Sequence, residues 1–451
     1  MMRIMFRRGI VWFLMALVSM SMLAACGSAE KSQPKQAAGE GSTSGEKVIE
    51  LRIWHMEEPP EWAARFQEVF DAYSKANPNV KVKVEIQNWG TAWEKTLAAV
   101  QAKNQPDLLF TIPDFTTTVK STGIVQPVDD LVSELNQKHK FLPSATGPYY
   151  YEGHHWAVPL YGMLQVLWYR KDFFAEAGIV APPKTWEELV STAKALTKNG
   201  RYGIAVPASK TMATDQTIYT FMATSGAEDL FDASGNVRFD NPGTVKAFEL
   251  YNELVKYSPP DVTSWGWGEP RDAFYNGSVA MAVEKGWYLG DWEKTSGKKP
   301  AEIGVAPVPV PAGGKNGSIY IPNGAMLLSQ DPQKQAAAKD LIRFILEPDN
   351  YGRFVNASPA LFLPLTEDGF QSKTWLADPI IKTYGEQMKV LVEQSKNGQL
   401  YGFSNGKVFP AIGKISAQNI MAQAVQKMVV EKSSPAEAVK WGQKAMQEAI
   451  K

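Results

Sequence analysis

The chain has one cysteine, Cys26, in 451 residues. Internal disulfides are therefore excluded, and stability has to come from burial rather than covalent cross-links. Histidine is nearly as scarce, at four residues. His154 and His155 are adjacent, and neighbouring side chains on an extended strand point apart, so no metal centre is expected there. Neither sign of charge dominates, with 47 Lys plus Arg against 47 Asp plus Glu. That balance argues against a nucleic-acid binder, which would carry a basic patch or stripe. The apolar run over residues 9–23 falls short of the about 20 residues of a comfortable membrane span, and no stop-transfer charges follow it. No internal repeat is present.

That apolar run is preceded by Arg3, Arg7 and Arg8 and closed by Leu23-Ala24-Ala25-Cys26. A charged start, a short apolar stretch and a small-residue cleavage site read as a secretion signal over residues 1–25. Cysteine directly after the cleavage site resembles the lipobox of bacterial lipoproteins. The resemblance implies lipidation of Cys26 and anchoring to the outer face of the cytoplasmic membrane, extracellular or periplasmic. Removal of residues 1–25 takes away three arginines and no acid, leaving 44 basic and 47 acidic groups, a net −3. Charge alone gives no reason to bind a bilayer, so the lipid would be the anchor. Residues 27–46, GSAEKSQPKQAAGEGSTSGE, hold no large apolar side chain and read, with Cys26, as a disordered tether.

Strand and helix signals alternate from residue 48. Residues 48–54 read as a strand. A helix opens at Pro59-Pro60, carries Trp62, Phe66, Val69, Phe70 and Tyr73 at helical spacing, and stops before Pro78. Val80, Val82, Val84 and Ile86 alternate with polar residues as a half-buried strand does. A helix over 91–103 and a strand over 107–112 follow, an order that implies a parallel sheet. Further on, strands are expected within 156–169, a short helix over 171–177, and a helix opened by the capping box Thr185-Trp186-Glu187-Glu188. Asn241-Pro242 starts another helix. Strands are expected over 278–284 and 324–329, and helices over 332–346, through most of the tail from Pro379, and after Ser434-Pro435.

In open α/β sheets ligands bind beyond the carboxyl ends of the strands. Those ends carry Trp54, Trp89 and Asp114. Aromatics beside an acid suit a polar ligand with flat apolar faces, such as a sugar ring. Trp265 and Trp267 lie in a glycine-rich loop with no element to pack under, and Trp287 follows a strand directly after Gly286. Trp62, Trp168, Trp186 and Trp441 lie on helix or strand patterns and read as core. Asp114 serves equally as a helix cap or as a ligand contact.

Several segments resemble family 1 extracellular solute-binding proteins, the sugar-binding components of ABC importers. They are Leu51-Arg52-Ile53-Trp54-His55, Gln105-Pro106-Asp107-Leu108-Leu109, Trp156-Ala157-Val158-Pro159-Leu160-Tyr161, Trp168-Tyr169-Arg170-Lys171-Asp172-Phe173-Phe174, Pro182-Pro183-Lys184-Thr185-Trp186-Glu187-Glu188-Leu189 and Ala273-Phe274-Tyr275-Asn276-Gly277-Ser278. The resemblance implies an α/β, two-lobed periplasmic-binding-protein type II-like fold with hinge crossings and a helical C-terminal tail. It places lobe one at 47–158 plus 323–365, lobe two at 162–318 plus 372–451, and crossings at 159–161, 319–322 and 366–371. It assigns Trp287 to sugar stacking and Asp114 to hydroxyl binding, and it brings Tyr161, Asn323 and Tyr401 to the ligand. Met163 stands where the maltose-binding type has an acid.

The implied protein is a monomeric, cofactor-free receptor that closes on a sugar or oligosaccharide and presents it to a membrane permease. The principal alternative is a glycosidase, for which Glu57, Asp114, Glu269 and Glu284 would supply the two facing carboxylates. A same-fold receptor for a non-sugar ligand, or a sugar sensor, also fits the sequence.

Overall fold

A computed structural model describes residues 48–227, 229–403 and 406–451. The secretion signal, Cys26 and the expected tether lie outside the described residues.

Strand β1 (Ile49–His55) buries Leu51 and Ile53 against helix α1 (Pro60–Ala76). Proline opens α1, and Phe66, Val69, Phe70 and Tyr73 form its buried stripe. Strand β2 (Val80–Ile86) runs parallel to β1 in register from Ile49↔Val80 to His55↔Ile86. Helix α2 (Ala92–Gln101) leads to β3 (Leu108–Thr111), which pairs parallel with the other edge of β1. The expected parallel sheet is thus present, in the order β3-β1-β2. Helix α3 (Pro113–Lys120) then starts directly at the end of β3.

Next come β4 (Val158–Leu164) and β5 (Val166–Arg170). The Thr185 hydroxyl and the Glu188 carboxylate make the expected capping box at the start of α4 (Trp186–Leu196). Helix α5 (Met212–Thr224) has no counterpart in the sequence reading; buried on almost every side, it shows no polar face and so no amphipathic period. Asn241 caps α6 (Pro242–Val255), and α7 (Gly268–Asn276) precedes β6 (Met281–Glu284). That strand is shorter than expected, beginning at Met281 rather than Ser278.

Strands β6, β5 and β7 (Ile303–Ala306) form a second, antiparallel sheet with β5 central. Trp168 is fully buried in it, its indole donating to the carbonyls of Glu284 and Lys285. Strand β8 (Ser318–Leu327) returns to the first sheet, antiparallel to both β3 and β4, and is longer than expected because Ile319, Tyr320 and Ile321 are buried there too. Its register with β4 shifts between Asn323 and Gly324. A Cβ at Gly324 would lie 2.8 Å from the Tyr149 ring, whose hydroxyl donates to the carbonyls of Thr111 and Pro322. Helix α8 (Pro332–Leu346) has the expected bounds, and α9 (Pro348–Val355) packs Phe354 on Phe66. The tail contains α10 (Ile412–Ala417), α11 (Ile420–Val429) and α12 (Pro435–Ala449), the last opened by the Ser434 capping box. Among the described residues no helix is long and apolar enough to cross a membrane.

One local expectation is overturned. His154 and His155 do converge: their Nδ1 atoms lie 2.7 and 3.1 Å from the two oxygens of Asp129. The strand there is only two residues long, and the His155 amide also donates to Asp129, so one carboxylate is wide enough to meet both rings. Among the described residues, no three His, Asp or Glu gather as a metal site.

Candidate functional site

The carboxyl ends of β1, β2 and β3 open onto a cavity of about 520 Å³. Residues 56–59 and Trp62 reach it from the β1–α1 turn, Trp89 from beyond β2, and Ile112 from the end of β3. The opposite wall comes from Met212 and Gln216 on α5, from Trp267 and Gly268 at the start of α7, and from Lys285 and Trp287 beyond β6. Met163 of β4 lies between the two walls.

Four tryptophans therefore meet in one space. Trp62 and Trp287 have ring centres 6.5 Å apart, and Trp62 also rests edge-on against Phe362 at 5.4 Å. The Arg271 guanidinium lies 4.6 Å from the Trp287 ring centre, and the Lys285 ammonium 3.4 Å from that of Trp267. Both are cation–π distances, and they hold each indole face-on to a charge. Gly286 sets the position of Trp287: a Cβ there would overlap the Ala360 carbonyl oxygen at 1.7 Å. The indole nitrogen of Trp287 is buried without a partner.

Two charged groups are desolvated in the wall. Glu57 is buried, and its carboxylate accepts from the Tyr161 hydroxyl at 2.8 Å. Burial pushes its pKa up to about 7, against the opposing pull of the Tyr161 hydrogen bond and Lys285. Burial likewise brings Lys285 down to about 8, although Glu284 stands 3.6 Å away and favours the charged form. Beneath them His55 accepts from the Glu57 amide and is held down at about 4 by burial, hence neutral.

Of the residues singled out in the sequence, Trp89, Trp267 and Trp287 are brought together in this wall. Tyr161 stands behind it, holding Glu57. Asp114 and Tyr401 line a smaller adjoining pocket. Trp54 and Trp265 stay outside the cavity. The Trp54 indole donates to Glu85, its cross-strand partner on β2, at 2.9 Å. Trp265 is buried in the core, where its carbonyl accepts from Ser209. Asn323 is buried at the β8 register shift, with neither amide atom paired. Trp62, read from its spacing as core, is a cavity residue instead, because it sits on the first turn of α1 directly above the end of β1. Trp168 and Trp186 are core as read. Gln216, Met212 and Lys285 carried no signal in the sequence; they lie far apart along the chain, and only folding brings them together.

Two α/β lobes with a lined cleft define a ligand-binding protein of the extracellular solute receptor class. Residues 58–352 match the family described as bacterial extracellular solute-binding protein, and the chain belongs to that family. It is thus a binding protein rather than an enzyme. The periplasmic-binding protein YcjN of Escherichia coli, of an ABC transporter, is 25% identical over 447 residues, 97% of each chain. The diacetylchitobiose-binding protein DasA of Streptomyces coelicolor is 24% identical over 347 residues, 75% of this chain and 78% of DasA. Among solved structures, maltose-bound MalE3 of T. maritima has a TM-score of 0.75 at 18% identity, covering 89% of this chain and 99% of its own. Lmo0181 of Listeria monocytogenes, in complex with cycloalternan, has a TM-score of 0.73 at 20% identity over 89% and 99% of the two chains. These structures share the two-lobed fold.

Proposed function

We propose that the cavity binds a carbohydrate, which the protein presents to the membrane permease of an ABC importer. One observation carries this reading: Trp62, Trp89, Trp267 and Trp287 meet the buried Glu57 and Lys285 in a single cavity. A sugar ring has C–H faces that pack on indole and an equatorial belt of hydroxyls that need donors and acceptors. The cavity's volume of about 520 Å³ is in the range of small-molecule sites. The relatives named for diacetylchitobiose and maltose support the same class.

In this reading the ligand contacts are the four tryptophans, Glu57 and Lys285, with Tyr161 as the positioning residue for Glu57. Closure turns on the paired strands β4 and β8, with crossings at 159–161 and 319–322 and a third at 366–371. Lobe one is 47–158 plus 323–365, and lobe two is 162–318 plus 372–451. Hinged closure of two lobes would bury the sugar and create the surface that the permease reads. Cys26 carries the lipid, residues 26–46 form the tether, and the receptor works as a monomer.

The test is a thermal-shift screen of the purified protein against a panel of sugars. A ligand at 100-fold excess over its Kd should raise stability by about 2.7 kcal/mol. If a peptide or metal ion shifts the melting temperature and no sugar does, the carbohydrate assignment falls.

A further inference from the structure

A pocket of about 50 Å³ adjoins the main cavity, sharing Ile112, Met212 and Gln216 with it as common wall. Two carboxyl groups face into it. Asp114 comes from the first turn of α3, and Asp215 from α5. Asp215 accepts the Ala422 amide at 2.5 Å, and Asp114 accepts the Phe115 amide at 3.1 Å and the Ser416 hydroxyl. Among the described residues no cation acts on either; the charge that acts on Asp215 is Asp114 itself. Burial, first of all, raises the pKa of both.

Two further groups are aimed into the same space. Gln216 is 8% exposed and Tyr401 6% exposed, and both the Gln216 amide oxygen and the Tyr401 hydroxyl are buried without a partner. Neither acid has a cationic partner, so each is held toward its neutral form until a positive charge arrives. Burying an unpaired carboxylate is costly, so a guest that brings positive charge and several N–H donors would recover the most free energy. A water needs about 10–15 Å³ of such space, so the pocket has room for a few waters or for one small polar substituent of a larger ligand. A protonated primary amine meets all three conditions, with three donors and a full charge. A hydroxyl offers one donor and no charge.

We propose that this pocket takes the protonated amino group of an amino sugar whose ring lies in the main cavity, an inference that rests on the carbohydrate reading above. Selectivity would then come from Asp114, Asp215, Gln216 and Tyr401, while the tryptophans supply affinity without distinguishing the substituent.

The experiment is titration calorimetry at pH 6 with three oligosaccharide series of matched length and linkage: amino, N-acetylated and neutral. The amino series should bind at least tenfold more tightly than the other two. Asp114→Asn and Asp215→Asn should each bring it to the level of the neutral series, whose affinity changes less than threefold. Asp215 also holds the start of α11, so Asp114→Asn decides the matter alone if Asp215→Asn fails to fold. Neutral or N-acetylated sugars binding as tightly as the amino series would overturn the proposal. So would a calcium-induced thermal shift that both variants abolish, which would assign the pocket to a metal ion. Absence of binding by every sugar would sink the carbohydrate reading itself, and the amine pocket with it.

Discussion

Trp287 stands half-buried at the cavity wall, with Arg271 on one side and Trp62 on another. Trp287→Ala removes a stacking face, and losing that apolar contact should cost about 2 kcal/mol, roughly 30-fold in Kd for the bound sugar. Trp186→Ala, in the core with its indole bonded to the Pro309 carbonyl, should lower the melting temperature and leave Kd nearly unchanged. Isothermal titration of both variants separates the two roles. Glu57 makes a pH prediction. Its folded pKa, about 7, lies above its ordinary 4.5, so the folded state holds the proton more tightly. The stability that Glu57 contributes is therefore fully present below about 4.5 and is lost as pH rises through about 7, by about 3 kcal/mol. Denaturation of the unliganded protein between pH 5 and 8 should show this loss, and Glu57→Gln should flatten it while weakening sugar binding. Lys285 has the opposite sign: its lowered pKa makes its cost present at low pH and relieved as pH rises above about 8. Both charges are legible in the sequence as residues, but their desolvation is not, because it depends on which side chains close over them.

Among the elements, the first parallel sheet and the caps were readable because their signals are local. Alternation marked β2, proline opened α1 and α8, and Thr185-Trp186-Glu187-Glu188 announced α4. Helix α5 was not readable, since burial on nearly all sides removes the polar face that periodicity needs. It is nevertheless the element that places Met212 and Gln216 in the main cavity and Asp215 beside them. Trp62 misled for a related reason: helical spacing shows that a residue shares a stripe with Phe66 and Phe70, not that the stripe runs out over a cleft. Thr185→Ala should cost about 1 kcal/mol by removing the cap, visible as a lower melting temperature with unchanged sugar affinity. Gly286→Ala should do the reverse in emphasis. The added methyl cannot coexist with the Ala360 carbonyl, so the backbone between β6 and Trp287 must shift. At least a tenfold loss of affinity is expected, measured by the same titration.

For the whole molecule, the proposed transport role joins an anchored N-terminus to a closing receptor. Cys26→Ser should release the protein from the membrane fraction or leave it unprocessed, with sugar binding unaltered. Fractionation and immunoblotting, combined with a binding assay on the soluble fraction, check both halves. A tether of about 20 residues would keep the receptor near its permease and raise its effective concentration there. What the amino-acid sequence determined unaided was the order of strands and helices in the first sheet, several capped helix starts and the end of that sheet on which the cavity opens. These follow from spacing and backbone chemistry within a few residues of each position. Only the tertiary structure decided which tryptophans face one another, and that Glu57 and Lys285 lose their water beside them. That outcome depends on residues 57, 163, 216 and 285 meeting across the cleft, and burial, unlike periodicity, is a property of neighbours that the chain brings in from far away.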